Sequence, residues 1–261
     1  MAHQSEIDER VRVYYGGLFD EDARLTTRSA QGPLEHRRTQ ELIAEHISTG
    51  RVLDIGGGTG IHARTLRERG FEVVLIDPVP EHVTAAAASG VEALLGDARS
   101  LPFADGSFDA VLLLGPLYHL ASREERLQAL REAKRVTRAG GFVFAAALSR
   151  YVAFGANVLG RSVRSDAALR ALWEQGVPLA GDRFPAGHFH TAEELAEEVA
   201  DAALEVLAVH GVEGPSGLAL EGVPADRTDL TEAALVLARA TSAEPGIRDF
   251  SAHLLAVARV G

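Results

Sequence analysis

A doubly wound α/β sheet, mostly parallel, is the fold this sequence predicts, and three observations carry it. From residue 51 onward, short apolar runs bounded by breakers alternate with amphipathic segments, the pattern of parallel strands covered by helices on both faces. The first apolar run passes straight into a glycine-packed loop, Val52-Leu-Asp-Ile-Gly-Gly-Gly-Thr-Gly60. A helix begins immediately after it, so its N-terminus faces the carboxyl edge of the sheet, where such folds take nucleotide-like ligands.

Residues 1–50 read as an N-terminal helical cap with one break. A short helix is expected from Ser5 to about residue 18, and a second with Pro33 in its first turn and Leu34, Ile43 and Ile47 on one face. Strands are expected at 51–55, 71–76, 91–95, 108–114 and 142–148, with helices at 61–69, 80–88 and 122–138. The last of these helices opens with Ser122-x-x-Glu125 and is expected to close at Gly140-Gly141. Residues 149–190 break the rhythm, with five glycines, two prolines and the single tryptophan, Trp173. They read as an insertion over the sheet edge on the substrate side. The rhythm resumes with a helix capped by Thr191-x-x-Glu194, a strand at 204–210, a helix near 229–241 and a strand at 253–260. Residues 51–261 thus form one α/β domain carrying the 149–190 insertion.

Composition narrows the functional classes. The 261 residues carry a net charge of −11, which argues against a nucleic-acid partner, because phosphate backbones are held by clustered cations. No apolar run is long enough to span a membrane, and the N-terminus lacks the pattern of a signal peptide. The absence of cysteine excludes disulfides, thiolate metal sites and a cysteine nucleophile. A cytoplasmic enzyme without membrane association is the expectation.

The glycine loop alone is ambiguous. Asp54-Ile-Gly56-Gly-Gly58-Thr-Gly60 fits acid-x-Gly-x-Gly-x-Gly, while Gly58-Thr-Gly60-Ile-His-Ala63 satisfies the relaxed dinucleotide fingerprint. Either ligand wants an acid for its ribose hydroxyls at the end of the next strand, and Asp77 stands there. Three features favour a cationic cofactor. Asp54 lies where a pyrophosphate would approach, and its carboxylate would repel one. Asp97, in Leu95-Gly-Asp97-Ala98, offers an acceptor just after the third strand. Ser107-Phe-Asp109 then leads into a fourth strand ending beside the same crevice. A cation among Asp54, Asp77 and Asp97 is electrostatically coherent.

The stretches 52–60, 74–77, 96–98, 103–114 and 131–141 together resemble the class I S-adenosylmethionine-dependent methyltransferases. Leu114-Gly-Pro-Leu-Tyr-His-Leu120 and the segment from Tyr14-Tyr15 to Arg24-Leu25 resemble a bacterial subgroup acting on small molecules. The resemblance implies a Rossmann-like sheet of seven strands whose last is antiparallel, with S-adenosylmethionine as cofactor and S-adenosylhomocysteine as product. It implies that Gly56, Gly58 and Gly60 let the backbone meet the methionine portion and that Asp54 faces the ammonium. Asp77 would hold the ribose, Pro78 would lie on the adenine, and Asp97 with the Ala98 amide would read the adenine edge. The Leu114 carbonyl would sit near the methionine end. The Asn/Asp-Pro-Pro-Tyr motif of nucleic-acid amino-methylating members is absent; Gly115-Pro-Leu-Tyr118 stands in its place.

On the acceptor side, in-line displacement needs alignment above all, and a base only where the nucleophile must lose a proton. His119 is the candidate base. Tyr14, Phe19, Tyr118 and Trp173 are candidate substrate contacts, with Phe154 and Phe184 as further wall residues, and Tyr15 is placed with the cofactor through its aromatic face. Arg28 or Arg38 would meet the cofactor carboxylate. No metal is expected; His188 and His190 lack a third ligand at convincing spacing and read as the approach to the Thr191 cap. The competing readings are an NAD-dependent oxidoreductase and a non-catalytic cofactor-binding regulatory protein.

Overall fold

The computed structural model describes residues 3–160 and 166–261. All seven expected strands form: β1 (Arg51–Ile55), β2 (Glu72–Asp77), β3 (Glu92–Leu95), β4 (Phe108–Leu113), β5 (Thr137–Leu148), β6 (Glu205–Gly211) and β7 (His253–Arg259). They make one sheet in the order β3-β2-β1-β4-β5-β7-β6. β7 runs antiparallel to both β5 and β6, and the pairs among β1 to β5 are parallel. The chain reverses direction across the sheet between β1 and β4, so a crevice opens at their carboxyl ends.

The helices are α1 (Gln4–Val13), α2 (Glu21–Thr26), α3 (Gln31–Ala44), α4 (Ile61–Glu68), α5 (Pro80–Ala88), α6 (Arg123–Val136), α7 (Arg150–Gly160), α8 (Asp166–Gln175), α9 (Ala192–Asp201), α10 (Gly217–Leu220) and α11 (Thr228–Thr241). α6 and α9 bury Leu130 and Leu195 against one sheet face. α3, α4 and α5 bury Leu42, Leu66 and Ala86 against the other. Strand residues such as Val74 and Leu75 point to opposite faces and are both fully buried. That explains the unbroken apolar runs in the sequence.

Three boundaries differ from expectation. The first helix ends at Val13 and continues as a single π-helical turn, Tyr14–Leu18, before α2 starts under an Asp20 cap. α6 stops at Val136 rather than at the double glycine, and Thr137 already pairs with Phe108. Gly141 is instead a strand residue at an irregularity of register, where a Cβ would lie 2.6 Å from the Asp109 carbonyl. The insertion holds two helices, α7 and α8, followed by a return segment that crosses back to the crevice. The Thr191 expectation is met by a reciprocal capping box with Glu194.

Candidate active site

β1 ends at Ile55, one residue past Asp54, and the chain must turn at once to enter α4. Gly56, Gly58 and Gly60 make that turn with φ of +67°, +58° and +87°, values that L side chains rarely adopt. Asp77 closes the loop from the end of β2. Its carboxylate accepts from the Gly58 N–H (2.9 Å), the Val79 N–H (2.9 Å) and His82 Nδ1–H (3.2 Å). Asp54 is as deeply buried, yet neither of its carboxylate oxygens has a hydrogen-bond partner among the described residues. Burial, with the Asp77 charge behind it, pushes its carboxyl up to about 7. An unpaired acid in such a place calls for a ligand donor or cation.

A cavity of about 160 Å³ runs along this edge. Asp54, Gly56, Gly58, Asp77, Pro78, Asp97, Ala98, Leu114 and Tyr15 all line it. Gly60 does not; it lies behind the loop, where a Cβ would press within 3.3 Å of Ala86. At one rim, the Arg99 guanidinium clamps Asp97 and reaches Asp8 of α1 (2.8 Å) and Glu125 (3.0 Å). Although burial opposes it, Arg99 holds the Asp97 carboxyl below its usual range.

The far end of the cavity is charged and is built by four residues from three segments, α2, α3 and β7. Arg24 is bonded to Glu35 (2.6 and 3.0 Å) and to Glu21 (2.8 to 3.1 Å), and His253 stands at the start of β7. All four line the cavity. Arg24, not Arg28 or Arg38, is therefore the arginine that faces it at this end. Arg28 pairs with Glu221 at the surface, and Arg38 is turned toward Glu45 and Ser242. The Glu21-x-x-Arg24 spacing on a capped turn was the available signal; His253 had none.

The remaining wall is aromatic. Tyr118 and His119 sit on a 3₁₀ turn, Pro116–His119, clamped from both sides. Gln4 of α1 donates to the His119 carbonyl and accepts from the Ala121 N–H. On the other side the Gly187 N–H donates to the Tyr118 carbonyl (2.7 Å), an approach so close that a Cβ on Gly187 would lie 2.7 Å from the His119 carbonyl oxygen. His119 Nδ1–H donates to the Pro185 carbonyl (2.8 Å), which leaves Nε2 to accept from the Tyr15 hydroxyl (3.3 Å). Burial holds this imidazole down at about 4, so it is neutral near pH 7. Burial likewise raises the Tyr15 and Tyr118 phenols above their ordinary value.

Several expected substrate contacts lie elsewhere. Tyr14 and Phe19 stack on each other (5.0 Å) outside the cavity lining, behind Tyr15. Trp173 is 47% exposed and packs on Tyr151 and Phe154, 5.0 Å from each. Of the insertion's aromatic residues only Phe184 reaches the turn, 5.3 Å from His119. Trp173 and Phe154 fail because they lie on α8 and α7, whose apolar faces pack on each other. His190 donates to Glu198, which also binds Arg126 (2.6 Å), a buried tie between α6, α9 and the return segment.

The residues fit S-adenosylmethionine. An orphaned buried carboxylate suits its cationic groups, a left-handed glycine loop admits close approach, and Arg24 offers its carboxylate a guanidinium. The sequence profile of the methyltransferase domain family matches residues 53–145. An uncharacterized methyltransferase of Mycobacterium tuberculosis is 44% identical over 93 residues, 35% of this chain and 37% of that one. A demethylmenaquinone methyltransferase of Renibacterium salmoninarum is 33% identical over 52% of this chain and 56% of its own. A probable tRNA methyltransferase 9B of Homo sapiens is 31% identical over 40% and 22%. The chain thus spans well under two thirds of the length of these relatives. Among solved structures, the 1,6-didemethyltoxoflavin-N1-methyltransferase of Burkholderia thailandensis, bound to 1,6-didemethyltoxoflavin and S-adenosylhomocysteine, has a TM-score of 0.60 at 18% identity, covering 100% of this chain and 91% of that one. The seven-stranded fold is the one seen in the solved methyltransferase, and residues 53–145 match the methyltransferase domain family.

Proposed function

We propose that the protein methylates a small molecule at oxygen or nitrogen, and the unpaired, buried Asp54 carboxylate beside the glycine loop is the observation that carries the cofactor half of this reading. When bound, S-adenosylmethionine supplies a methyl group on a sulfonium. Asp77 would hold the ribose hydroxyls, Pro78 the adenine face, and Asp97 with the Ala98 amide its edge. Asp54 would take the ammonium and Arg24 the carboxylate, with the Leu114 carbonyl alongside. A pyrophosphate would meet Asp54 and Asp77 as like charges, which disfavours NAD.

On the other side, Tyr15, Tyr118 and His119 orient the acceptor and exclude water. His119 Nε2, neutral and lone-pair bearing, would receive a proton from a hydroxyl nucleophile that displaces Tyr15 from it. A small acceptor is supported by the cavity's cover of α1 and the return segment, and by the net charge of −11. The demethylmenaquinone methyltransferase relative points the same way. The test is transfer of labelled methyl groups to panels of phenols, hydroquinones and heteroaromatic amines, beside bulk tRNA. Labelled small molecules are expected. Labelled tRNA would overturn the acceptor class, and binding of cofactor without any transfer would favour a regulatory protein.

A further inference from the structure

We propose that His253 is a positioning residue: as an imidazolium between Glu35 and Glu213, it sets Glu35 and, through it, the Arg24 guanidinium that receives the cofactor's amino-acid carboxylate. The inference rests on the methyltransferase reading above. Its geometry is a continuous chain. Arg24 donates to Glu35 Oε2 at 2.6 Å, the same oxygen lies 3.6 Å from His253 Nδ1, and Nδ1–H donates to Glu213 Oε1 at 2.5 Å. Glu213 is fixed in turn by the Ser251 hydroxyl (2.5 Å) and the His253 N–H (3.0 Å). These groups come from α2, α3, the segment after β6 and β7, so the last strand is tied to the N-terminal cover through the cavity wall.

The charges require the imidazolium. Glu35 and Glu213 are buried and Glu21 is partly so, and the single charge of Arg24, though shared between Glu21 and Glu35, balances only one of the three carboxylates. His62 of α4, the other ionisable neighbour, is held neutral by burial, reinforced by His36 and Arg24. Burial by itself would lower the His253 imidazole as well, but Glu35 and Glu213 outweigh it and lift it to about 9. Arg24 already spends both N–H groups of one terminal nitrogen, its Nε–H and one N–H of the other terminal nitrogen on Glu21 and Glu35. One N–H is left for an incoming carboxylate. Were His253 neutral, Glu35 would lose its second cation and draw Arg24 more tightly, and the potential met by an anionic group would fall. Glu35, Glu213 and the charge of His253 then matter to affinity without touching the ligand. The three ligand-capable atoms of Glu35, Glu213 and His253 lie within 4.8 Å of one another, but a guanidinium and a ring proton already satisfy them.

The test combines calorimetry of S-adenosylhomocysteine binding with NMR of the histidine rings. At pH about 7.5, H253Q is expected to bind about tenfold more weakly than wild type, and H253K to recover most of the loss. The ligand's own amine titrates in every sample, so the quantity read is the ratio of wild-type to H253Q affinity. That ratio is expected to fall toward one as the pH rises through about 9. Equal affinities at every pH would overturn the proposal. Should H253Q fail to fold, the wild-type ring decides: a His253 resonance titrating near 9 and shifted upward by S-adenosylhomocysteine is expected. Titration at the ordinary histidine value, or indifference to the ligand, would overturn it. Failure of wild type to bind S-adenosylhomocysteine at all would instead bring down the methyltransferase reading.

Discussion

The two halves of the cavity are built on opposite plans. The cofactor side is made by successive strand ends, so Asp54, Asp77 and Asp97 appear in the sequence in the order in which they line the crevice. The cover is made by segments far apart in the chain: α1, the π-helical turn, α2, α3, the return segment at 184–188 and β7. The first plan fixes the nucleoside with rigid backbone, whereas the second divides: α2, α3 and β7 carry the Arg24 cluster to the cofactor's end, and α1, the return segment and the turn at 116–119 shape the acceptor side. Substitutions on the acceptor side should therefore change rate, and those at the strand ends or around Arg24 affinity.

The largest effect is expected on the acceptor side. H119Q should lower kcat by about 10²- to 10⁴-fold on a hydroxyl acceptor while leaving S-adenosylhomocysteine affinity within about threefold. Comparable loss of affinity would dissolve the separation. On the strand side, D77A should weaken S-adenosylhomocysteine by about 100-fold in calorimetry, because three donors and the ribose lose one carboxylate together. R24Q should cost about tenfold in the same measurement and R28A less than about twofold; the reverse order would return the carboxylate to the surface arginine.

The smallest effect is on stability. The rings of His119, His190 and His210 lie near 4 in the folded protein, chiefly through burial, against about 6.5 in an unfolded chain. Between these values the unfolded state binds more protons, so stability is lost as the pH falls below about 6.5. His253 has the opposite sign: its contribution is complete below about 6.5 and lost as the pH rises through about 9. Thermal melts should show a lower Tm at pH 5 than at pH 7.5, and H253Q should remove part of the alkaline decline. A flat profile would contradict the buried-histidine account.

What could be read from the sequence followed the same division. The seven strands, the Thr191 cap and the acids at the strand ends were legible because each is a local pattern of apolar period and turn chemistry. Antiparallel β7 came only with the family resemblance, since alternation carries no direction. The placement of Trp173 failed because an aromatic residue in an insertion can face a ligand or a neighbouring helix, and α7 took it. Arg24 was passed over for Arg28 because the two stand one turn apart, and only the packing of Glu35 decides which is drawn inward. Asp97 was read as a free acceptor, whereas Arg99, two residues on, already holds it.

The central claim is that the carboxyl edge of this sheet is a cradle for the amino-acid nucleoside of the methyl donor. Calorimetry of the wild-type protein with S-adenosylhomocysteine and with NADH tests it directly. Micromolar binding of S-adenosylhomocysteine with no heat from NADH is the expected result. Binding of NADH in its place would contradict the account.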